Sequence, residues 1–184
     1  MSGRFFFVVG PSGAGKDSLI DGARSKLPGS AFVFARRVIT RAPGAAGEDH
    51  EACTETEFAA RQARGDFLIT WEAHGLHYGL PAMLLDALAQ GRHVIANGSR
   101  AMVAPLFKRL PALVVIEVSA PADVLAKRLA ARGRETASDI ARRLERKIPD
   151  YPADCHILHV INDQTLEIGV NRFIETIQTH LAAG

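Results

Sequence analysis

Short apolar runs alternate along the chain with longer segments whose apolar residues recur at helical spacing. The apolar runs predict strands at 4–9, 31–34, 67–71, 93–96, 113–118 and 156–161. The periodic segments predict helices at 16–27, 54–64, 81–90, 100–110, 121–132, 138–148 and 166–181. Strands separated by helices require crossover connections, so the pattern predicts an α/β fold with a parallel sheet flanked by helices.

The region from Arg41 to Tyr78 breaks this alternation. Residues 41–50 are rich in Gly, Ala, Pro and acidic side chains, which indicates a loop. No Ser/Gly-rich linker sets the region apart. We therefore predict a single domain over residues 1–184, with a small inserted subdomain at about 36–80 and a mobile lid at about 127–147.

The composition is that of an ordinary globular domain. The chain has 184 residues, 47% of them hydrophobic and 23% charged, and a net charge of +2, too small by itself to indicate nucleic-acid binding. Its two cysteines, Cys53 and Cys155, lie far apart and in no metal-binding spacing. The Phe5–Val9 run is too short for a signal peptide, and no segment approaches a membrane span. We expect a cytoplasmic protein without a nucleic-acid or membrane partner; the oligomeric state stays open.

A glycine-rich loop carries the chemistry. The pattern Gly10-x-x-x-x-Gly15-Lys16 lies between a predicted strand and a predicted helix, the context that makes a phosphate-binding loop credible. Its backbone N–H groups and the helix N-terminus favour phosphate, and Lys16 would reach the β- and γ-phosphates of ATP. The residues assigned to ATP are Gly10, Pro11, Ser12, Gly13, Ala14, Gly15, Lys16, Asp17 and Ser18.

Asp17 stands where the usual loop pattern has a serine or threonine that contacts magnesium. A carboxylate is a hard oxygen ligand, so Asp17 would take Mg²⁺ directly or through water, and the Ser18 hydroxyl would assist. The alternative is that Asp17 only favours the first helical turn through the helix dipole.

A basic window extends from Lys127 to Lys147 and contains eight basic and three acidic residues. Phosphoryl transfer depends on positioning and positive charge, so we predict a closing lid with Arg132 and Arg143 as catalytic cations. A solvated charged face is the alternative. Arg37 and Arg41 indicate a second phosphate-binding surface.

The chain resembles the guanylate kinase family over nearly its whole length. The resemblance rests on residues 10–16, on Thr40-Arg41-x-Pro43 with Gly47-Glu48, on Tyr78-Gly79, and on Arg132-Gly133 followed by 141–144. It implies a P-loop kinase fold in which these segments bind ATP, bind the acceptor and form the lid. Where that family has its guanine-reading and acceptor-phosphate side chains, this sequence has Arg37, Gly44, Thr70, Leu80 and Asn97.

These departures, together with Asp17 and the 97–100 segment, resemble the ribose 1,5-bisphosphate phosphokinase group of phosphonate metabolism. That resemblance implies ATP- and Mg²⁺-dependent phosphorylation of ribose 1,5-bisphosphate to 5-phosphoribosyl 1-diphosphate. We expect the acceptor contacts to be Arg37, Arg41, Glu48, His74, Tyr78, Asn97, Ser99 and Arg100. The guanylate kinase resemblance implies that Asn162 lies beside the adenine. A guanylate kinase and a non-catalytic binding module remain the alternatives.

Overall fold

The computed structural model describes residues 3–42, 49–131 and 150–183. Within them the strands are β1 (Phe5–Val9), β2 (Phe32–Phe34), β3 (Arg37–Ile39), β4 (His50–Ala52), β5 (Phe67–Ala73), β6 (Leu76–Pro81), β7 (His93–Asn97), β8 (Leu113–Ser119) and β9 (His156–Ile161). The α-helices are α1 (Lys16–Arg24), α2 (Glu55–Ala63), α3 (Leu84–Ala89), α4 (Val103–Arg109), α5 (Ala122–Ala130) and α6 (Leu166–Ala183). A 3₁₀ turn at Arg100–Met102 leads into α4.

These strands form two sheets. The five-stranded sheet has the order β2-β7-β1-β8-β9, and β2 with β7 and β8 with β9 pair in parallel. The four-stranded sheet has the order β4-β3-β6-β5 and is mostly antiparallel. By contact density the chain forms a first unit of Met1–Phe6 and Pro28–Asn97, and a second unit of Phe7–Leu27 and Gly98–Gly184.

The first unit contains the four-stranded sheet and α2. A capping box starts α2, since the Thr54 hydroxyl accepts from the Glu57 N–H and the Glu57 carboxylate accepts from the Thr54 N–H. Phe58 of α2 stacks on Phe67 of β5 at 4.7 Å between ring centroids and packs against Val38 of β3. One face of this sheet is therefore an apolar face covered by α2.

The second unit is built around β8 and the end of β1. Its core is formed by fully buried apolar side chains, among them Phe7, Leu19, Leu106, Ile116, Phe173 and Ile177. Helices α1 and α6 pack together so closely that a Cβ on Gly22 would lie 2.4 Å from a methyl of Val170. Among the residues that the structure describes, no helix combines the length and apolar character needed to span a bilayer.

Most predicted elements are present, and the errors lie between residues 36 and 84. The short strands β3 and β4 and the whole of β6 were not predicted. Pro81 was expected near the start of a helix but ends β6, and the helix begins at Leu84. His74 and Gly75 join β5 to β6 with φ angles of 54° and 69°, which is typical of a tight hairpin turn. The predicted helix at 138–148 lies outside the described residues.

Candidate active site

The phosphate-binding loop lies in the second unit, between β1 and α1, as its sequence predicts. The loop residues Gly10, Gly13 and Gly15 have φ angles of 149°, 85° and 87°, conformations that side chains with a Cβ rarely adopt. Gly10 also approaches the backbone of β8, where an added Cβ would lie 2.1 Å from the Val118 carbonyl oxygen. The sequence therefore needs glycine here for backbone conformation and for space.

Lys16 opens α1 and folds back over the loop. Its ammonium group donates to the carbonyl oxygens of Gly10 at 3.0 Å and Pro11 at 3.1 Å. The charge is thereby held at the helix N-terminus, where the partial positive charge of the helix also favours anions. Of the remaining loop residues, Gly13 and Ala14 are buried, and Pro11 and Ser12 are half-buried.

Asp17 and Ser18 follow in the first turn of α1, with Asp17 half-buried and Ser18 exposed. A carboxylate and a hydroxyl beside a phosphate-binding loop suit Mg²⁺, which is usually held by one or two protein oxygens together with substrate phosphates. The described residues contain no group of three or more His, Cys, Asp and Glu side chains placed to hold a metal by themselves. The residues present thus fit a cation shared with a nucleotide.

The side chain of Asn162, a residue predicted to lie beside the adenine, is hydrogen-bonded to the loop. It is buried, with 4% of its surface exposed, and its amide nitrogen donates to the Ala14 carbonyl oxygen at 2.8 Å. Gly15 makes room for it, because a Cβ there would lie 2.5 Å from that nitrogen. The side chain of Asn162 therefore fixes the orientation of the loop backbone.

Arg128 is a loop-supporting residue that the sequence did not single out, because it stands within a long basic run. Its guanidinium donates to the Asn162 carbonyl oxygen at 3.0 Å and more weakly to that of Gly13 at 3.5 Å. Arg172 secures the same turn through the Ile161 carbonyl oxygen at 2.9 Å and the Asp163 carboxylate at 2.7 Å. The hydrogen bond from Arg172 lowers the pKa of Asp163.

Several predicted site residues belong to the parts of the chain that the structure does not describe. Arg132, Arg143 and Glu48 lie outside the described residues, as does most of the predicted lid. Of the basic window, Lys127 and Arg128 are described, both in α5, and the Lys127 ammonium lies 3.5 Å from the Asp123 carboxylate on the surface.

The first unit holds a second cationic arrangement, centred on Tyr78 of β6. Arg41 lies near the phenol, with its guanidinium nitrogen 3.4 Å from the Tyr78 hydroxyl oxygen. Arg37 lies over the ring, with its guanidinium carbon 5.4 Å from the ring centroid. Thr40 holds the backbone beside Arg41 by exchanging two hydrogen bonds with His77, at 2.9 and 3.1 Å. Three predicted acceptor contacts, Arg37, Arg41 and Tyr78, are thus brought together.

The other predicted acceptor contacts are dispersed. His74 is exposed at the turn between β5 and β6, and Asn97 is buried at the end of β7 in the same unit. Ser99 and Arg100 begin the 3₁₀ turn of the second unit and are half-buried. Burial raises the pKa of Tyr151, while the nearby charge of Arg100 opposes the rise.

No protein-family model matches the chain. It is 56% identical over 183 residues to a bifunctional ribose 1,5-bisphosphokinase-thymidine phosphorylase of Cupriavidus pinatubonensis, an alignment that covers 100% of this chain and 30% of that protein. It is 46% identical over 176 residues to a ribose 1,5-bisphosphate phosphokinase PhnN of Rhizobium etli, covering 95% of this chain and 89% of that one. The chain spans less than a third of the length of the bifunctional relatives that it matches.

Among solved structures, the chain resembles a guanylate kinase from Anaplasma phagocytophilum with a TM-score of 0.67. The two are 19% identical, and the superposition covers 97% of this chain and 86% of that structure. This similarity confirms the predicted P-loop kinase fold.

Proposed function

Because this chain belongs to the ribose 1,5-bisphosphate phosphokinase family, we propose that it transfers the γ-phosphoryl group of ATP to ribose 1,5-bisphosphate. The products are 5-phosphoribosyl 1-diphosphate and ADP. We place the reaction in the cytoplasm and in phosphonate degradation, with a phosphorylated sugar as the substrate partner and Mg²⁺ as the metal.

The observation that carries the proposal is the gathering of Arg37 and Arg41 about Tyr78. Guanidinium groups bind phosphate through paired N–H donors, so two of them suit an acceptor with two phosphates. Where the guanylate kinase resemblance expects a carboxylate that reads guanine, this sequence has the uncharged Thr70. The site therefore favours an anionic acceptor over a purine.

The reaction needs no dedicated base, since the acceptor group is already an anionic phosphate. An oxygen of the 1-phosphate attacks the γ-phosphorus of ATP, the bond from that phosphorus to the β,γ-bridging oxygen breaks, and ADP leaves with the bonding pair. Lys16 and the loop N–H groups offset the charge that builds up on the β- and γ-phosphates. Mg²⁺, when bound, neutralises phosphate charge, and Asp17 and Ser18 would hold it.

The remaining predicted residues complete the proposal. Arg132 and Arg143 would supply further positive charge to the transferred group. Sugar and phosphate contacts would come from Glu48, His74, Asn97, Ser99 and Arg100. The phosphate-binding loop and Asn162 would hold the nucleotide.

The test is an acceptor panel with ATP and Mg²⁺, in which ADP release is measured for ribose 1,5-bisphosphate, ribose 5-phosphate, ribose 1-phosphate and GMP. We expect ribose 1,5-bisphosphate to have the highest kcat/KM, with a diphosphate at C1 of the product by phosphorus NMR. A higher kcat/KM with GMP would make the protein a guanylate kinase. If none of the acceptors causes ADP to be released, the result would support a non-catalytic binding module.

A matched pair of variants controls this test. Lys16→Met removes the loop cation, and we expect kcat/KM to fall by about a hundredfold or more. Lys26→Met removes a lysine whose ammonium bonds the exposed Asn171 side chain, and activity should be retained. Equal activity in the two variants would contradict the role of the loop.

A further inference from the structure

We propose that Trp71 and Tyr78 form an aromatic platform that positions the Arg37 guanidinium for the acceptor, which makes Trp71 a positioning residue. The inference rests on the proposed function only for the identity of the acceptor. Trp71 itself need not touch the substrate, since it acts through Arg37.

Sheet register places the three side chains on one face. Tyr78 of β6 lies opposite Ile39 of β3 and also opposite Trp71 of β5. Arg37 precedes Ile39 by two residues, and side chains two apart along a strand point to the same face. This face is opposite the one that Val38 shares with α2.

The guanidinium lies within cation–π range of both rings. The Trp71 and Tyr78 rings are stacked, with centroids 5.4 Å apart and planes 8° from parallel. The Arg37 guanidinium carbon lies 5.4 Å from the Tyr78 centroid and 6.0 Å from the Trp71 centroid. Both separations are within the range at which a cation is attracted to the face of an aromatic ring.

Burial makes the platform rigid. Trp71 is 8% exposed and Tyr78 is 6% exposed, while Arg37 is only half-buried. Long arginine side chains lose conformational freedom when they bind a ligand, and a guanidinium already restrained by two rings loses less. The platform therefore lowers the entropic cost of binding phosphate.

Substitution of Trp71 tests the platform against simple packing. Trp71→Leu keeps an apolar side chain and removes the ring, and we expect the KM for the acceptor to rise by about threefold to thirtyfold. The KM for ATP and kcat should stay within about twofold. Trp71→Phe retains a ring and should restore most of the acceptor affinity. Equal rises of the acceptor KM in both variants would overturn the proposal.

Two further variants show whether Trp71 acts through Arg37. In an Arg37→Ala background, Trp71→Leu should change the acceptor KM by less than about twofold, and an undiminished effect would contradict the proposal. Phe58→Leu removes a buried ring from the α2 face of the same sheet. Phe58→Leu should lower the Tm without changing the acceptor KM. If it raises the acceptor KM as much as Trp71→Leu does, the cause is general loosening of the sheet.

A second measurement needs no substitution at Trp71, which is the single tryptophan of the chain. Titration with ribose 1,5-bisphosphate, or with inorganic pyrophosphate as a probe, should give a saturable change in its fluorescence. Arg37→Ala should abolish that change. If ribose 1,5-bisphosphate is not a substrate but pyrophosphate gives the Arg37-dependent signal, the proposed function fails and the platform stands. A change that persists without Arg37 refutes the platform.

Discussion

Gly15 allows a quantitative test of how the phosphate-binding loop is held. Its φ of 87° is left-handed, and an added Cβ would lie 2.5 Å from the buried amide nitrogen of Asn162. For Gly15→Ala the backbone strain costs about 1–2 kcal/mol. Displacing the hydrogen bond from Asn162 to Ala14 costs about another 1–2 kcal/mol. We therefore expect the free energy of unfolding to fall by about 2–4 kcal/mol.

Urea unfolding followed by circular dichroism measures that change, and calorimetric titration with Mg·ATP measures the affinity of the loop. ATP affinity should fall as well, because the carbonyl of Ala14 loses its partner and the neighbouring N–H groups turn. Two control variants separate the causes. Gly65 has a comparable φ of 80° and open space around an added Cβ, so Gly65→Ala introduces only the backbone strain. Gly29 has neither a left-handed φ nor a neighbour within 4 Å of an added Cβ, so Gly29→Ala introduces neither strain nor a clash.

The loss in the free energy of unfolding should be largest for Gly15→Ala, intermediate for Gly65→Ala and close to zero for Gly29→Ala. Adding Asn162→Ala to Gly15→Ala removes the clash, so the double variant should lose about 1–2 kcal/mol less than the sum of the single losses. If Gly15→Ala destabilises the protein no more than Gly65→Ala does, Asn162 does not pack against the loop.

Three other predictions concern pH, helix capping and the acceptor. Burial lowers the pKa of His93 from its ordinary value of 6.5, so as the pH falls the unfolded chain is protonated at a higher pH than the folded chain. Stability should therefore fall as the pH drops below about 6.5, and urea unfolding from pH 7.5 to 5 should show a smaller loss for His93→Gln. Thr54→Ala removes the cap that accepts from Glu57 and should lower the free energy of unfolding by about 1 kcal/mol, whereas Thr54→Ser should retain it; equal losses would contradict the capping role. Arg41→Lys keeps the charge near Tyr78 but loses the paired donors, so the acceptor KM should rise about tenfold while the KM for ATP is unchanged; equal rises in both would contradict an acceptor role.

The phosphate-binding loop could be predicted because its chemistry is local. Spacing alone places Gly10, Gly15 and Lys16 between a strand and a helix, and the positive φ angles that glycine allows form the loop. The support of that loop could not be predicted, since Arg128 and Asn162 come from distant parts of the chain. Both offer ordinary polar side chains whose partners are backbone carbonyls, and no residue pattern marks such contacts.

The four-stranded sheet shows the same limit. The alternating residues of β5 predict a strand. The strands β3 and β4 have three residues each and include the polar Arg37, His50 and Glu51, so they lack the apolar run that predicted the equally short β2. Strands of that length form only because the neighbouring strands supply hydrogen-bond partners. The same pairing aligns Arg37, Tyr78 and Trp71, which lie up to 41 positions apart in the numbered sequence.

By itself the amino-acid sequence determined the α/β alternation and the glycine-rich loop, and it predicted an anionic ligand for that loop. These follow from hydrophobic period, glycine conformation and charge, which act over a few neighbouring residues. Only the tertiary structure decided that Asn162 supports the loop and that Trp71 lies beneath Arg37. Those roles depend on distances between residues remote in the chain, and such distances are set when strands pair and side chains pack.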